Sequence, residues 1–190
     1  MARTREFDTD AVVRAARDVF WEHGYDMASL ADLERATGLG RSSLYQAFGS
    51  KRGLFDAAVE EYLGSIVRPR LAPLLHPTPG RNGVRDYLDG FSSTLGTLAS
   101  DSPHLGCMLV SAAPGIGARD DAAGAVIRGY RSELEAALAH ALEAAGDPDP
   151  LPRAKLITGL LVSALLIARI DRSEALALLD LARTHAESTR

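Results

Sequence analysis

The chain has 190 residues, 46% of them hydrophobic and 24% charged, with a formal net charge of −4. That length holds one sizeable core, or a small domain leaning on a larger one, and the composition excludes a disordered chain. A single cysteine, Cys107, excludes an intramolecular disulfide, and no Cys/His cluster offers a structural zinc site, so neither metal nor cofactor is expected. Residues 1–6 lack an apolar signal core, and the longest apolar run, Leu156 to Ile170, is broken by Thr158, Gly159, Ser163 and Arg169. The run is shorter than the roughly 20 residues that span a bilayer. It reads as a buried helix, with a cytoplasmic setting and no membrane partner expected.

No stretch sustains a period of two, whereas helical spacing recurs, so the chain reads as all-α with about nine helices. Asp8 or Thr9 caps the first helix, which carries Val12, Ala16, Val19 and Phe20 on one stripe and stops at Gly24. Ser29 caps a second helix, with Asp32 in its first turn, Leu30, Leu33 and Ala36 turned inward, and Gly38 at its end. A third runs from about Arg41 to Phe48 on the anchors Leu44 and Phe48. Ser50 caps a fourth, reaching about Val67 and bounded by Pro69 and Pro73. Residues 76–83 form a loop by composition, and helices follow near 83–100, 103–113 and 119–145. The Asp147-Pro-Asp-Pro-Leu-Pro152 stretch breaks the chain before two last helices near 152–170 and 173–187.

The segment Ser29–Lys51 has the order helix, glycine-containing turn, short polar helix, which is the pattern of a helix-turn-helix. In that arrangement the second helix presents Arg41, Ser42, Ser43, Tyr45 and Gln46 to base edges. Arg donates a bidentate pair to guanine, Gln pairs with adenine, and small serines allow close approach. Lys51, behind the Ser50 cap, adds its charge to helix N-terminal amides that suit a phosphate. Ser29 completes the DNA-facing set. Between Glu34 and Asp56 the sequence holds no acid, while Arg35, Arg41, Lys51 and Arg52 supply a local positive excess in an acidic chain.

From about Thr9 to Phe55 the residues resemble the N-terminal domain of TetR/AcrR-type transcriptional regulators. The matching pieces are Ala15–Phe20 with Gly24-Tyr25, Ser29–Leu33, Ala36–Gly40, Ser43–Lys51 and Leu54-Phe55. The resemblance implies that Tyr45 and Lys51 contact phosphates and that Arg41, Ser42, Ser43 and Gln46 lie at the groove. Gly40 departs from the pattern, since a Ser or Thr cap is common there. The expected organisation is a three-helix DNA-binding domain over residues 1–50, then a helical effector-binding and dimerisation domain over 51–190.

The resemblance also implies pairing through the last two helices, which makes Ile157, Leu160, Leu161, Ala164, Leu165 and Ala168, with Leu176 and Leu179, the expected homodimer surface. Two-fold symmetry then calls for a pseudo-palindromic double-stranded DNA operator. An effector cavity for a small molecule is implied among the middle helices. Tyr62, Ile66, Phe91, Leu95, Met108 and Ser111 are candidates for its wall, as are Ile127, Tyr130 and Leu134. His104 and Cys107 join them, because Ser102-Pro103 reads as a helix start that would make Cys107 a candidate reactive thiol. The expected function is a dimeric, ligand-responsive regulator, a repressor rather than an enzyme. The alternatives are a thiol-based sensor acting through Cys107 and, behind it, a small all-α enzyme.

Overall fold

The computed structural model describes residues 7–187. Helix α1 spans Thr9–Met27, with the Asp8 carboxylate accepting the Ala11 N–H at 3.1 Å. Gly24, at φ 70° and ψ 172°, interrupts the helical path where the sequence predicts a stop, and the chain then continues to Met27. Helix α2 (Leu30–Thr37) ends at Gly38 in the left-handed region, φ 69°. Leu33 is buried and Leu30 half-buried, but Ala36 is exposed, contrary to expectation. Helix α3 (Arg41–Phe48) buries Leu44 and half-buries Phe48. Helix α4 (Lys51–Tyr62) closes this unit, its Phe55 meeting Phe20 edge-on at 5.2 Å and Tyr25 at 5.0 Å.

Pro69 does not end that helix. A π-helical turn, Leu63–Val67, leads directly into α5 (Arg68–Leu71), which carries Pro69 in its first turn. Proline lacks an amide hydrogen and crowds the carbonyl one turn back; the wide turn just before it relieves both problems. After the loop come α6 (Gly83–Thr97), α7 (Met108–Ala112), α8 (Ile116–Arg119), α9 (Asp121–Ala144), α10 (Pro150–Ile167) and α11 (Arg172–Glu187). The described residues thus hold eleven α-helices and one π-turn, the excess over the expected number being the short α5 and α8. Residues 103–106 form turns rather than the start of a helix, because Gly106 sits at φ 80°.

The break before α10 is built on a buried carboxylate. Asp147 pairs with Arg153 Nε at 2.7 Å, and Arg153 Nη1 donates to the His185 carbonyl at 3.0 Å, tying the start of α10 to the end of α11. Helix α10 packs on α9 and α11, and one continuous apolar core runs from α1 to α11. Helix α10 is apolar all round, long and apolar enough by composition to cross a membrane, yet it buries only one side here. Leu156, Leu166 and Ile170 point outward at 46, 57 and 85% exposure, so the expectation of a wholly buried helix is corrected.

Candidate DNA-reading face and effector cavity

Ser29 Oγ accepts the Asp32 N–H at 3.1 Å, and Asp32 Oδ2 accepts from the Ser29 N–H and hydroxyl at 3.2 and 2.5 Å, a reciprocal cap on α2. These bonds hold the Asp32 carboxyl below the usual range. The start of α3 has no hydroxyl because Gly40 stands there, and Glu34 of α2 supplies the acceptor, Oε1 taking the Arg41 N–H at 2.5 Å. Helix α3 is therefore oriented by a carboxylate from its partner helix, a contact that no local sequence signal reveals. With Leu44 inward, Arg41, Ser42, Ser43 and Gln46 are exposed, and Tyr45 is half-buried beneath the Arg41 guanidinium, 5.3 Å from its ring.

The positive patch is narrower than the sequence count. Arg35 pairs with Asp32 at 3.1 Å, and Arg52 pairs with Asp56 at 2.7 Å and Asp120 at 2.5 Å. Acids from before and after the acid-free stretch fold back onto its arginines. Arg41 and Lys51 remain without an ion pair among the described residues. Lys51, the first residue of α4, lies over the Tyr25 ring at 4.6 Å, and partial burial lowers its pKa. Arg52 belongs instead to the junction with the body, where Asp120 also caps α9 by accepting the Ala123 N–H at 2.8 Å.

A second junction lies at the middle of α1. Arg169, just past α10, donates to the carbonyls of Ser102 at 3.2 Å, Pro103 at 2.5 Å and Trp21 at 3.3 Å. His104 Nε2 meets Asp18 Oδ1 at 3.0 Å and its ring packs on Trp21 at 4.9 Å. Asp18 also pairs with Arg17 at 2.6 Å, which reaches Glu61 at 2.8 Å. Burial opposes the Arg17 charge, but its two carboxylate partners raise its pKa overall.

Against this junction lies a cavity of about 430 Å³, within the range of small-molecule sites. Of the expected wall residues, Ile66, Phe91, Leu95 and His104 line it. Tyr62 and Tyr130 line a small adjoining gap that shares Ile66, Arg70, Phe91, Gly106 and Leu165 with the main cavity. Met108 and Leu134 are fully buried core, Ile127 lies over α4 beside Phe55, and Ser111 lines none of these hollows. These four are corrected as wall residues. Arg17, Trp21, Arg70 and Thr94, which the sequence reading omitted, are on the wall.

Cys107 is 1% exposed and precedes α7, whose five residues make only a short helix start. Tyr62 Oη donates to Sγ at 3.3 Å, and Sγ donates to Tyr130 Oη at 3.9 Å. Burial, then proximity to the thiol, pushes both phenols well above their usual pKa. His104 turns to Asp18 rather than to the thiol.

Most of the residues expected to pair two copies face inward. Ile157, Leu161, Ala164, Leu165, Ala168 and Leu179 are buried inside the protomer, because they pack α10 and α11 on α9 and on each other. Leu160 and Leu176 stay half-exposed. The outward stripe of α10 instead runs Leu156, Gly159, Leu160, Ser163 and Leu166, at helical spacing, and Ile170 in the turn that follows is also exposed.

Residues 12–58 match the family described as bacterial regulatory proteins, tetR family. The chain is 34% identical over 113 residues to the uncharacterized HTH-type transcriptional regulator YezE of Bacillus subtilis, covering 60% of this chain and 57% of that protein. It is 33% identical over 110 residues to the HTH-type transcriptional repressor ComR of Escherichia coli, covering 57% of this chain and 51% of that one. It thus spans about half the length of these curated relatives. Among solved structures, a cysteine mutant of the TetR family transcriptional regulator CifR, complexed with 26-bp double-strand operator DNA, superposes with a TM-score of 0.72. That pair shares 34% identity over 96% of this chain and 98% of the other. The chain belongs to the TetR family of DNA-binding transcriptional regulators.

Proposed function

We propose that the chain is a homodimeric repressor that grips a pseudo-palindromic operator and lets go when a small molecule fills the cavity. Arg41, Ser42, Ser43 and Gln46 read bases, Tyr45 and Lys51 hold phosphates, and Ser29 fixes the helix that buttresses them. The second copy covers the outward stripe of α10, whose apolar residues need a partner. A reading head (1–50) and an effector-binding, pairing body (51–190) divide the work, with α4 as a strut shared by both; the setting is cytoplasmic.

The observation that carries this reading is the position of the cavity. Arg17 and Trp21 of α1 form part of its wall, and His104 on the same wall bonds Asp18 of α1. A ligand there meets the helix that carries the reading head, so one head position accommodates it better than the other. Protection mapping on DNA flanking the chain's own gene tests the reading: two protected half-sites are expected, with protection lost on saturation by a cavity ligand. A single half-site, or ligand binding that leaves protection intact, would overturn it.

A second reading is favoured by the two phenols around Cys107, which line the gap adjoining the cavity. An electrophile entering there would alkylate Sγ, with loss of the thiol proton, and break its hydrogen bonds with Tyr62 and Tyr130. Iodoacetamide on the native protein decides it: adduct at Cys107 with loss of operator binding supports a thiol sensor, and full protection rejects it.

A further inference from the structure

The polar groups of the cavity wall are lopsided. No Asp or Glu lines the main cavity, whereas Arg17, Trp21, Arg70 and His104 do. Arg17 and His104 are committed to Asp18 and Glu61. Arg70 is not: it is an exposed residue at the cavity mouth that makes no ion pair among the described residues, with its guanidinium 4.9 Å from the Phe91 ring. It also borders a separate hollow of about 350 Å³ between Pro73, Pro79 and α6, where Asp86 stands without pairing to it. Trp21 is 5% exposed, and its buried indole N–H has no acceptor among the described residues. The rest of the wall is chiefly apolar: Ile66, Phe91, Leu95, Leu98, Leu165 and Leu179.

We propose that the cavity takes an apolar acid, a carboxylate on an alkyl or aryl body, with Arg70 as the anchor of its head group. An anion gives the unpaired guanidinium a partner, and a planar carboxylate matches its fork of donors. A cation would face Arg70 without a compensating carboxylate, and a purely neutral body would bring no charge to pair with it. The hydrocarbon part occupies the leucine- and phenylalanine-lined interior. The proposal rests on the effector reading above and narrows it to one chemical class.

Trp21 is the sole tryptophan and stands in the wall, so its fluorescence reports occupancy directly. Full-length protein is titrated with decanoate, decanol and decylammonium below their aggregation limits. Decanoate should bind at least about tenfold more tightly than decanol, with decylammonium weakest. Arg70→Met should erase that preference, and Arg70→Lys should retain part of it. Decanol equalling decanoate, a preference that survives in Arg70→Met, or no saturable response to decanoate overturns the proposal. Operator release is measured separately. Saturation by decanoate without release overturns the effector reading but not the ligand class; release by decanol with no charge preference does the reverse.

Discussion

The reading head and the body share one apolar core but differ in the range of their polar contacts. In the head, Ser29 caps against Asp32, Ser50 accepts the Gly53 N–H at 3.1 Å, and Glu34 reaches Arg41, all within a few residues. In the body, Tyr62 bonds Cys107 across 45 positions, and Arg153 joins the start of α10 to the His185 carbonyl across 32. A unit closed by local caps moves as one piece. A unit closed by distant contacts changes shape when one of them gives way. The difference fits the proposed division of labour, recognition in the first and response in the second.

The strongest way to break this contrast is at Gly106. Its φ of 80° disfavours any side chain, and a Cβ there would lie 2.6 Å from the Leu165 carbonyl oxygen of α10. Gly106→Ala should cost about 3 kcal/mol, combining backbone strain with overpacking, as read by urea unfolding. Hydrogen exchange should quicken in α7 and α10 and stay unchanged in α2 and α3. Equal acceleration in both regions would erase the distinction.

Next in size is the outward stripe. Leu166→Glu with Ile170→Glu alters side chains that are already exposed, so the protomer should remain folded. Sedimentation should show a monomer, and operator affinity should fall on the order of 100-fold as two linked half-site contacts become independent. A variant that still sediments as a dimer would place the pairing surface elsewhere.

The head was legible in the sequence because its exposed polar residues and its caps are neighbours along the chain. Gly24, Gly38, Ser29 and Ser50 all act where local chemistry puts them. The body was legible only as helices. Helix α10 carries apolar residues on nearly every side, so periodicity gives no inward face, and Ile157 and Leu161, expected to pair two copies, pack inside the chain. Arg70 and Trp21 join the cavity through packing between distant helices, which leaves no mark in local spacing. Asp120 meets Arg52 in the same way, so an acid-free stretch of sequence does not make an acid-free surface.

A smaller effect sharpens the head's side of the contrast. Arg41→Ala should cost about 2 kcal/mol of operator preference and relax selectivity at one base position if its fork reads guanine. Lys51→Ala should instead weaken binding evenly across sequences and lower the salt slope by about one. Neither should alter occupancy of the cavity, measured by Trp21 fluorescence. Equal loss of selectivity in both variants would contradict the division between base-reading and phosphate-holding residues.

The smallest expected effect tests whether the cap is as local as it looks. Ser29→Ala should destabilise the chain by about 1 kcal/mol near neutral pH. Hydrogen bonds from Ser29, aided by Arg35, depress the Asp32 pKa. A carboxyl lowered on folding contributes stability that is present above its ordinary unfolded pKa and lost as pH falls through its lower folded value. The gap between parent and Ser29→Ala should therefore narrow in acid, below the ordinary carboxylate range, as Asp32 protonates in both. Urea unfolding at about pH 7 and about pH 3 measures it. A gap of constant size would mean that Ser29 acts through its hydroxyl on the helix end alone, with the carboxylate adding nothing to the cap.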